Sequence, residues 1–394
     1  MSIREVYVDN NATTMTAPEV LESMQPFFSR LYGNPSSMHQ FGGQVKRHID
    51  RAREQVAALI GAHPAEIMFT SCGTESDNAA IRGVLSATPD KKHIITSRVE
   101  YPAVKNVFQY LGQNGYRVSE LSVDREGRLD LDELREVLSD DTALVSLMWA
   151  NNETGVIFPV EQAAEMVRAA GAAFHCDAVQ AAGKIPIDLK RTPIDLLSIS
   201  GHKLHAPKGI GVLFVRKGTH FSPWLLGGHQ ESGRRAGTEN VPSIVGLGRA
   251  CELALESIDA ENTAVKALRD RLEKTLLERA IDASVNGDTV NRLPNTTNIS
   301  FKYIEGESIL ILLSEAGIAA SSGSACTSGS LEPSHVLRAM GVPFTRVHGS
   351  VRFSLSRYTT AEDVDYIVEN MLRIERRLRE ISPFGRDELA SQSR

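Results

Sequence analysis

The chain has 394 residues, 42% of them hydrophobic and 23% charged, the proportions of a soluble fold long enough for two or three cores. A formal charge of −6 and a pI near 6.0 argue against nucleic acid or an anionic membrane surface as the main partner. No apolar run approaches the ~18 residues that cross a bilayer and MSIREVYVDN has no signal core, so a cytoplasmic protein without a membrane partner is expected.

In chain order, the patch YGNPSS (32–37) punctuates the N-terminal region before a predicted helix, GGQVKRHIDRAREQVAALIGA. Apolar, β-rich runs then alternate with helical segments. The runs are EIMFT, KHIITS, ALVSLMWA, AAFHCDA, DLLSIS and GIGVLFV, and the helices include LDELREVLSD and VEQAAEMVRAA. Such alternation predicts an α/β fold with a mostly parallel sheet covered on both faces, whose ligands gather at the carboxyl ends of the strands. From about Asn262 a long helix, AVKALRDRLEKTLLERA, leads into NTTNISF, EGESILILLSEAGI and VRFSLSRYTTAEDVDYIVENMLRIERRL, the order of a smaller α+β domain. The expected division is an N-terminal segment (1–15) joining the small domain, a large domain (16–260) and a small domain (261–394) with a frayed polar tail.

The strand ends carry the chemistry. DLLSIS runs into GHKLHAPKG, so Lys203 follows a buried strand, where lost solvation lowers an amine's pKa and suits it to Schiff-base chemistry. An isolated lysine in such a loop would instead snorkel to water. AAFHCDAVQ ends in Asp177, a carboxylate placed to pair with a protonated pyridine nitrogen, or to cap a helix. Alternation along that strand sends Cys176 to the opposite face, as a structural residue.

In FTSCGTESDN a strand runs through Gly73 and Thr74 into a helix, whose free N–H groups suit a phosphate; Ser200 and His202 flank the lysine as further donors. WANNETG puts Asn152 at another strand end, to bond a ring oxygen or a substrate carboxylate, or to serve a turn. Arg352, in the apolar strand VRFSLS, needs a carboxylate, either an internal Asp or Glu or that of an amino-acid substrate. Together these point to a pyridoxal phosphate enzyme.

Cys326 lies in SSGSACTSGS (321–330), which has no bulky side chain to pack. A thiol there is either a small residue in a turn or a nucleophile on a mobile arm. Cys72, Cys176, Cys251 and Cys326 form no CxxC pair and the eleven histidines no HExxH-like pair, so neither disulfides nor a bound metal is expected.

DNNATT (9–14), GTESDN (73–78), NNETG, HCDAVQ, SGHKLHAPKG, RRAGTEN (234–240) and SSGSACTSGSLEPSHVLRAMG, spread over nearly the whole chain, resemble the cysteine desulfurases. These are class V, fold-type I pyridoxal phosphate-dependent enzymes, and the likeness is to the NifS type of nitrogenase cluster assembly, with the IscS type nearby. The resemblance implies a homodimer that converts L-cysteine to L-alanine for iron-sulfur cluster assembly. Lys203 would bond the cofactor and Asp177 hold its ring nitrogen. Gln180 and Asn152 would meet the ring oxygen or the substrate, and Gly73, Thr74, Ser200 and His202 the phosphate. Thr238 would add a phosphate contact from the neighbouring subunit. Arg352 would grip the substrate carboxylate, and Cys326 would take the sulfur as a persulfide and pass it to a NifU- or IscU-like scaffold protein.

In one place the chain departs from the family. VEYPAV has Tyr101 where the family carries a histidine that stacks on the cofactor and moves protons. A phenol keeps the stack, but its unperturbed pKa near ~10 makes it a poor base at neutral pH. Three readings follow: a proton path through Lys203, a slowed enzyme, or an engineered substitution. The rival functions are a class V aminotransferase or selenocysteine lyase, which depend less on Cys326, and a sulfur-carrier scaffold without turnover.

Overall fold

The computed structural model describes residues 4–322 and 333–381. The chain opens on a two-residue strand, β1 (Val6–Tyr7), and passes through the helix Gln40–Leu59 into a seven-stranded sheet. In chain order its strands are β2 (Ile67–Thr70), β3 (His93–Ser97), β4 (Arg117–Leu121), β5 (Thr142–Met148), β6 (Ala173–Asp177), β7 (Leu196–Ser200) and β8 (Gly211–Val215). Their spatial order is β2-β8-β7-β6-β5-β3-β4. The run from β7 to β4 is parallel, and β8 is antiparallel to both of its neighbours. The fold is thus α/β with a mostly parallel sheet, as the alternating runs predict.

The strands are apolar on both faces because both faces are covered. Met68, Ile94, Leu144, Leu196 and Leu213 pack on one side with the helices Gly73–Ala87 and Pro102–Gln113. Their sequence neighbours Phe69, Ile95, Val145, Leu197 and Phe214 pack on the other, with the helices Gln40–Leu59, Val160–Ala169 and Val241–Ala260. Each such fully buried side chain contributes about 1.5–3 kcal/mol relative to leaving it in water. β4 lies beyond the runs singled out above. It is an edge strand whose sequence RVSEL is fully buried only at Leu121, so it carries no apolar signature.

A second core surrounds a three-stranded antiparallel sheet, in which β10 (Thr296–Phe301) lies between β9 (Ala283–Val285) and β12 (Ser350–Ser354). The helix Ala361–Ile381 covers it with a stripe of Val364, Ile367, Val368, Met371, Ile374 and Leu378, three or four residues apart. β1 pairs in parallel with β11 (Ile318–Ala319), which brings Val6 and Val8 into this core. The two cores share a continuous helical rod. Val241–Ala260 passes through a π-helical turn, Glu261–Val265, into Lys266–Arg279. Leu293, Val336, Leu337, Met340 and Val347, late in the sequence, belong to the larger core.

Candidate active site

The register of the sheet assembles the site. Met148 on β5 pairs with Asp177 on β6, and Asp177 pairs with Ser198 on β7, so three parallel strands end side by side. A cavity of about 610 Å³ opens there. Its lining includes Gly73, Thr74, Tyr101, Asn152, Asp177, Gln180, Ser200, His202 and Lys203, nine of the residues expected at the site.

Lys203 ends a single helical turn, Gly201–Lys203, that follows β7 directly. Its Nζ donates to the carbonyls of Asn11 and Ala12 at 2.5 and 2.6 Å. His202 is bonded through Nδ1 to the Thr13 hydroxyl at 3.1 Å. Burial and the neighbouring lysine ammoniums push its pKa down to about 4, which keeps the ring neutral.

Asp177 is buried and accepts the Val179 N–H at 2.9 Å. Burial raises its pKa above the usual carboxylate range, against the pull of that N–H and of Lys203. Gln180 lies three residues on; its amide donates to the Asn11 carbonyl at 3.0 Å, and the buried Lys184 ammonium donates to its side-chain oxygen at 3.3 Å.

The helix Gly73–Ala87 points its N-terminus at the cavity. Cys72, extended at φ −174°, caps it with its sulfur, which accepts the Glu75 N–H at 3.4 Å. The Glu75 carboxylate reaches back to the Ser71 N–H at 2.7 Å and outward to Arg235 at 2.8 Å. A Cβ at Gly73 would sit 3.0 Å from Val179 Cγ2 and 3.2 Å from Ser200 Cβ, inside the space a phosphate needs beside the helix N–H groups.

Tyr101 is half-buried at the cap of the helix Pro102–Gln113. Glu100 beneath it is fully buried, with Oε1 accepting from the Ser97 hydroxyl at 2.6 Å and the Met148 N–H at 3.1 Å. Its Oε2 has no partner among the described residues, and burial pushes its pKa up to about 8, so it carries a proton at neutral pH.

Arg352 and Thr238 stand apart from this lining. Arg352 is buried on β12 and adjoins the cavity through Asn152, whose carbonyl accepts from Nη1 at 2.9 Å. Of the carboxylates open to it from sequence, the structure pairs it with an internal one, Asp9, at 2.6 Å. Thr238 is exposed on the surface of this single chain. Cys326 lies outside the described residues.

Sequence reasoning missed Asp77, which lines the cavity 1% exposed, with Oδ1 unpartnered among the described residues and 3.6 Å from His175 Nε2. Burial and the charge of Asp177 push it well above the carboxylate range. The available signal was its position four residues after Gly73, on the buried face of that helix. Cys72 and Lys184 were likewise missed. Cys176, by contrast, is fully buried on β6, and burial raises its thiol far from the reactive range.

These residues fit pyridoxal phosphate. Asp177 is a buried carboxylate that a protonated ring nitrogen would neutralise, Gly73 leaves a cradle that any side chain would fill, and Lys203 lines the same cavity. The family model for class V aminotransferases matches residues 6–367. A protein of Trichormus azollae named cysteine desulfurase is 62% identical over 383 residues, 97% of this chain and 96% of that one. The cysteine desulfurase NifS of Azotobacter vinelandii is 58% identical over 381 residues, 96% of this chain and 95% of its own. A solved structure of a NifS-like protein superposes with a TM-score of 0.90 at 40% identity, over 95% of this chain and all of the other. The chain belongs to the class V aminotransferase family of pyridoxal phosphate-dependent enzymes, in its cysteine desulfurase branch.

Proposed function

We propose that this desulfurase converts L-cysteine to L-alanine with Cys326 as the sulfur acceptor, and that it serves iron-sulfur cluster assembly of the NifS type. The observation that carries the reading is the placement of Lys203 and Asp177 at neighbouring strand ends, facing one cavity beside a helix N-terminus. Bound pyridoxal phosphate supplies an electron sink for the bonds at the substrate Cα. Gly73, Thr74, Ser200 and His202 would hold its phosphate, Asp177 its ring nitrogen, and Gln180 its ring oxygen or the substrate. Tyr101 would offer an aromatic face to the ring.

Arg352 and Asn152 orient the substrate by its carboxylate, and Lys203 moves the proton at Cα. The Cys326 thiolate attacks the substrate sulfur. The new S–S bond forms as the C–S bond breaks, and the carbon takes up a proton, so cysteine and a thiol become alanine and a persulfide with no outside oxidant. We further propose a cytoplasmic homodimer in which Thr238 completes the partner's phosphate site, a smaller domain formed by 261–394, and a NifU- or IscU-like scaffold as recipient of the sulfur.

The test is alanine formation from L-cysteine with a thiol reductant present, for the wild type and Cys326→Ala. Loss of alanine and of the added sulfur seen by mass spectrometry, with cofactor absorbance retained, is the expected result. Undiminished turnover in Cys326→Ala would instead assign a lyase or aminotransferase that has no use for the thiol.

A further inference from the structure

Arg352 is held in an unusual balance for a buried cation. Its main chain is fixed on both sides, by pairing with Asn298 on β10 and by hydrogen bonds exchanged with Ser321. Its side chain is 2% exposed, and one nitrogen, Nη1, is committed to the Asn152 carbonyl. Nη2 takes Asp9 Oδ1 at 2.6 Å, and Nε has no partner among the described residues. Desolvating a guanidinium requires a compensating charge, and here a single carboxylate on a neighbouring turn supplies it.

Nε and Nη2 form one edge of the fork, the edge that matches a carboxylate through two parallel hydrogen bonds. Asp9 uses only half of it. Asp9 is also the more accessible partner, with its side chain 18% exposed. It begins the turn, closed by Ala12 N–H to the Asp9 carbonyl at 2.9 Å, whose Asn11 and Ala12 carbonyls hold Lys203.

We propose that Asp9 is the resting counter-ion of the substrate clamp: a substrate carboxylate takes its place on Nη2, gains Nε as a second donor, and must outcompete Asp9 to bind. The exchange swaps one anion for another, so the buried site keeps its charge balance throughout. A ligand without a carboxylate has nothing to exchange and leaves the Asp9–Arg352 pair closed. Asp9 is therefore a positioning residue that sets the threshold for amino-acid binding. This rests on the assignment of Arg352 as the carboxylate clamp.

The experiment is calorimetric titration of the cofactor-loaded enzyme with L-alanine and with L-alaninamide, for the wild type, Asp9→Asn and Arg352→Gln. Asp9→Asn keeps a hydrogen-bond acceptor but removes the competing charge. It is expected to lower the dissociation constant of alanine about three- to tenfold, the scale of one net charge-assisted hydrogen bond, and to leave alaninamide unchanged. Unchanged or weakened alanine binding in Asp9→Asn overturns the proposal. Alanine affinity unaltered in Arg352→Gln would instead remove the clamp assignment beneath it, a separate result. Should Asp9→Asn fail to fold, a crystal structure of the wild-type holoenzyme with alanine decides: Asp9 displaced from Arg352 supports the exchange, and an intact pair refutes it.

Discussion

Lys203 and Asp177 stand at the ends of adjacent strands in one sheet, held by a continuous ladder and a core packed on both faces. Arg352 and Asp9 meet across 343 residues of sequence, where a strand of the second core touches the turn after β1. The first pair forms the floor of the site, built on a single sheet; the second is drawn from two distant parts of the chain. The contrast assigns different work to each. Asp177, whose pKa burial raises, lies in the floor, whereas the pair proposed to exchange partners lies where two separate pieces come together.

The strongest way to break the floor is Lys203→Ala. Alanine formation is expected to fall by on the order of a thousandfold or more, because the residue is proposed both to bond the cofactor and to move the proton. The variant should still carry an intact sheet by circular dichroism; residual turnover within tenfold of the wild type would move the chemistry to another base.

Gly73→Val sharpens the comparison from the phosphate side. A side chain there meets Val179 and Ser200 at 3.0 and 3.2 Å, so cofactor affinity should drop by about tenfold or more in equilibrium dialysis while the floor stays assembled. Unaltered affinity would place the phosphate elsewhere.

The smallest effect is a pH slope from Glu100. Its carboxyl titrates in the fold at about 8, well above its ordinary 4.5. The folded protein therefore keeps a proton that the unfolded chain gives up. That stabilisation is complete below pH ~4.5 and is lost as pH rises through about 8. Denaturant melts of Glu100→Gln should accordingly show a flatter decline than the wild type between pH 5 and 8. Parallel profiles for the two proteins would mean that Glu100 is ionised in place.

The floor was legible in the sequence because its elements are punctuated. Six sheet strands appear as short apolar runs; Asp177 ends one, and Gly73 and Lys203 follow two others by three residues, so strand ends and site coincide. β4 escaped notice because an edge strand with charged residues has no such run. Asp77 escaped because a carboxylate one turn into a helix looks like surface until the neighbouring strands bury it. The second pair was legible only in part. A buried-strand arginine announces that it needs a carboxylate, but no local pattern names a partner 343 residues away. The registry of Cys176 followed from period-two alternation alone.

The β1–β11 pairing and the Asp9–Arg352 contact also set an order for biosynthesis. Asp9 is synthesised 343 residues before Arg352, so the floor can close over its helices while that pair has no second half. A nascent chain thus passes through a stage in which the lysine and its surroundings exist without the arginine proposed to bind the substrate carboxylate. On that assignment, the enzyme can bind a substrate carboxylate only after β12 has been made.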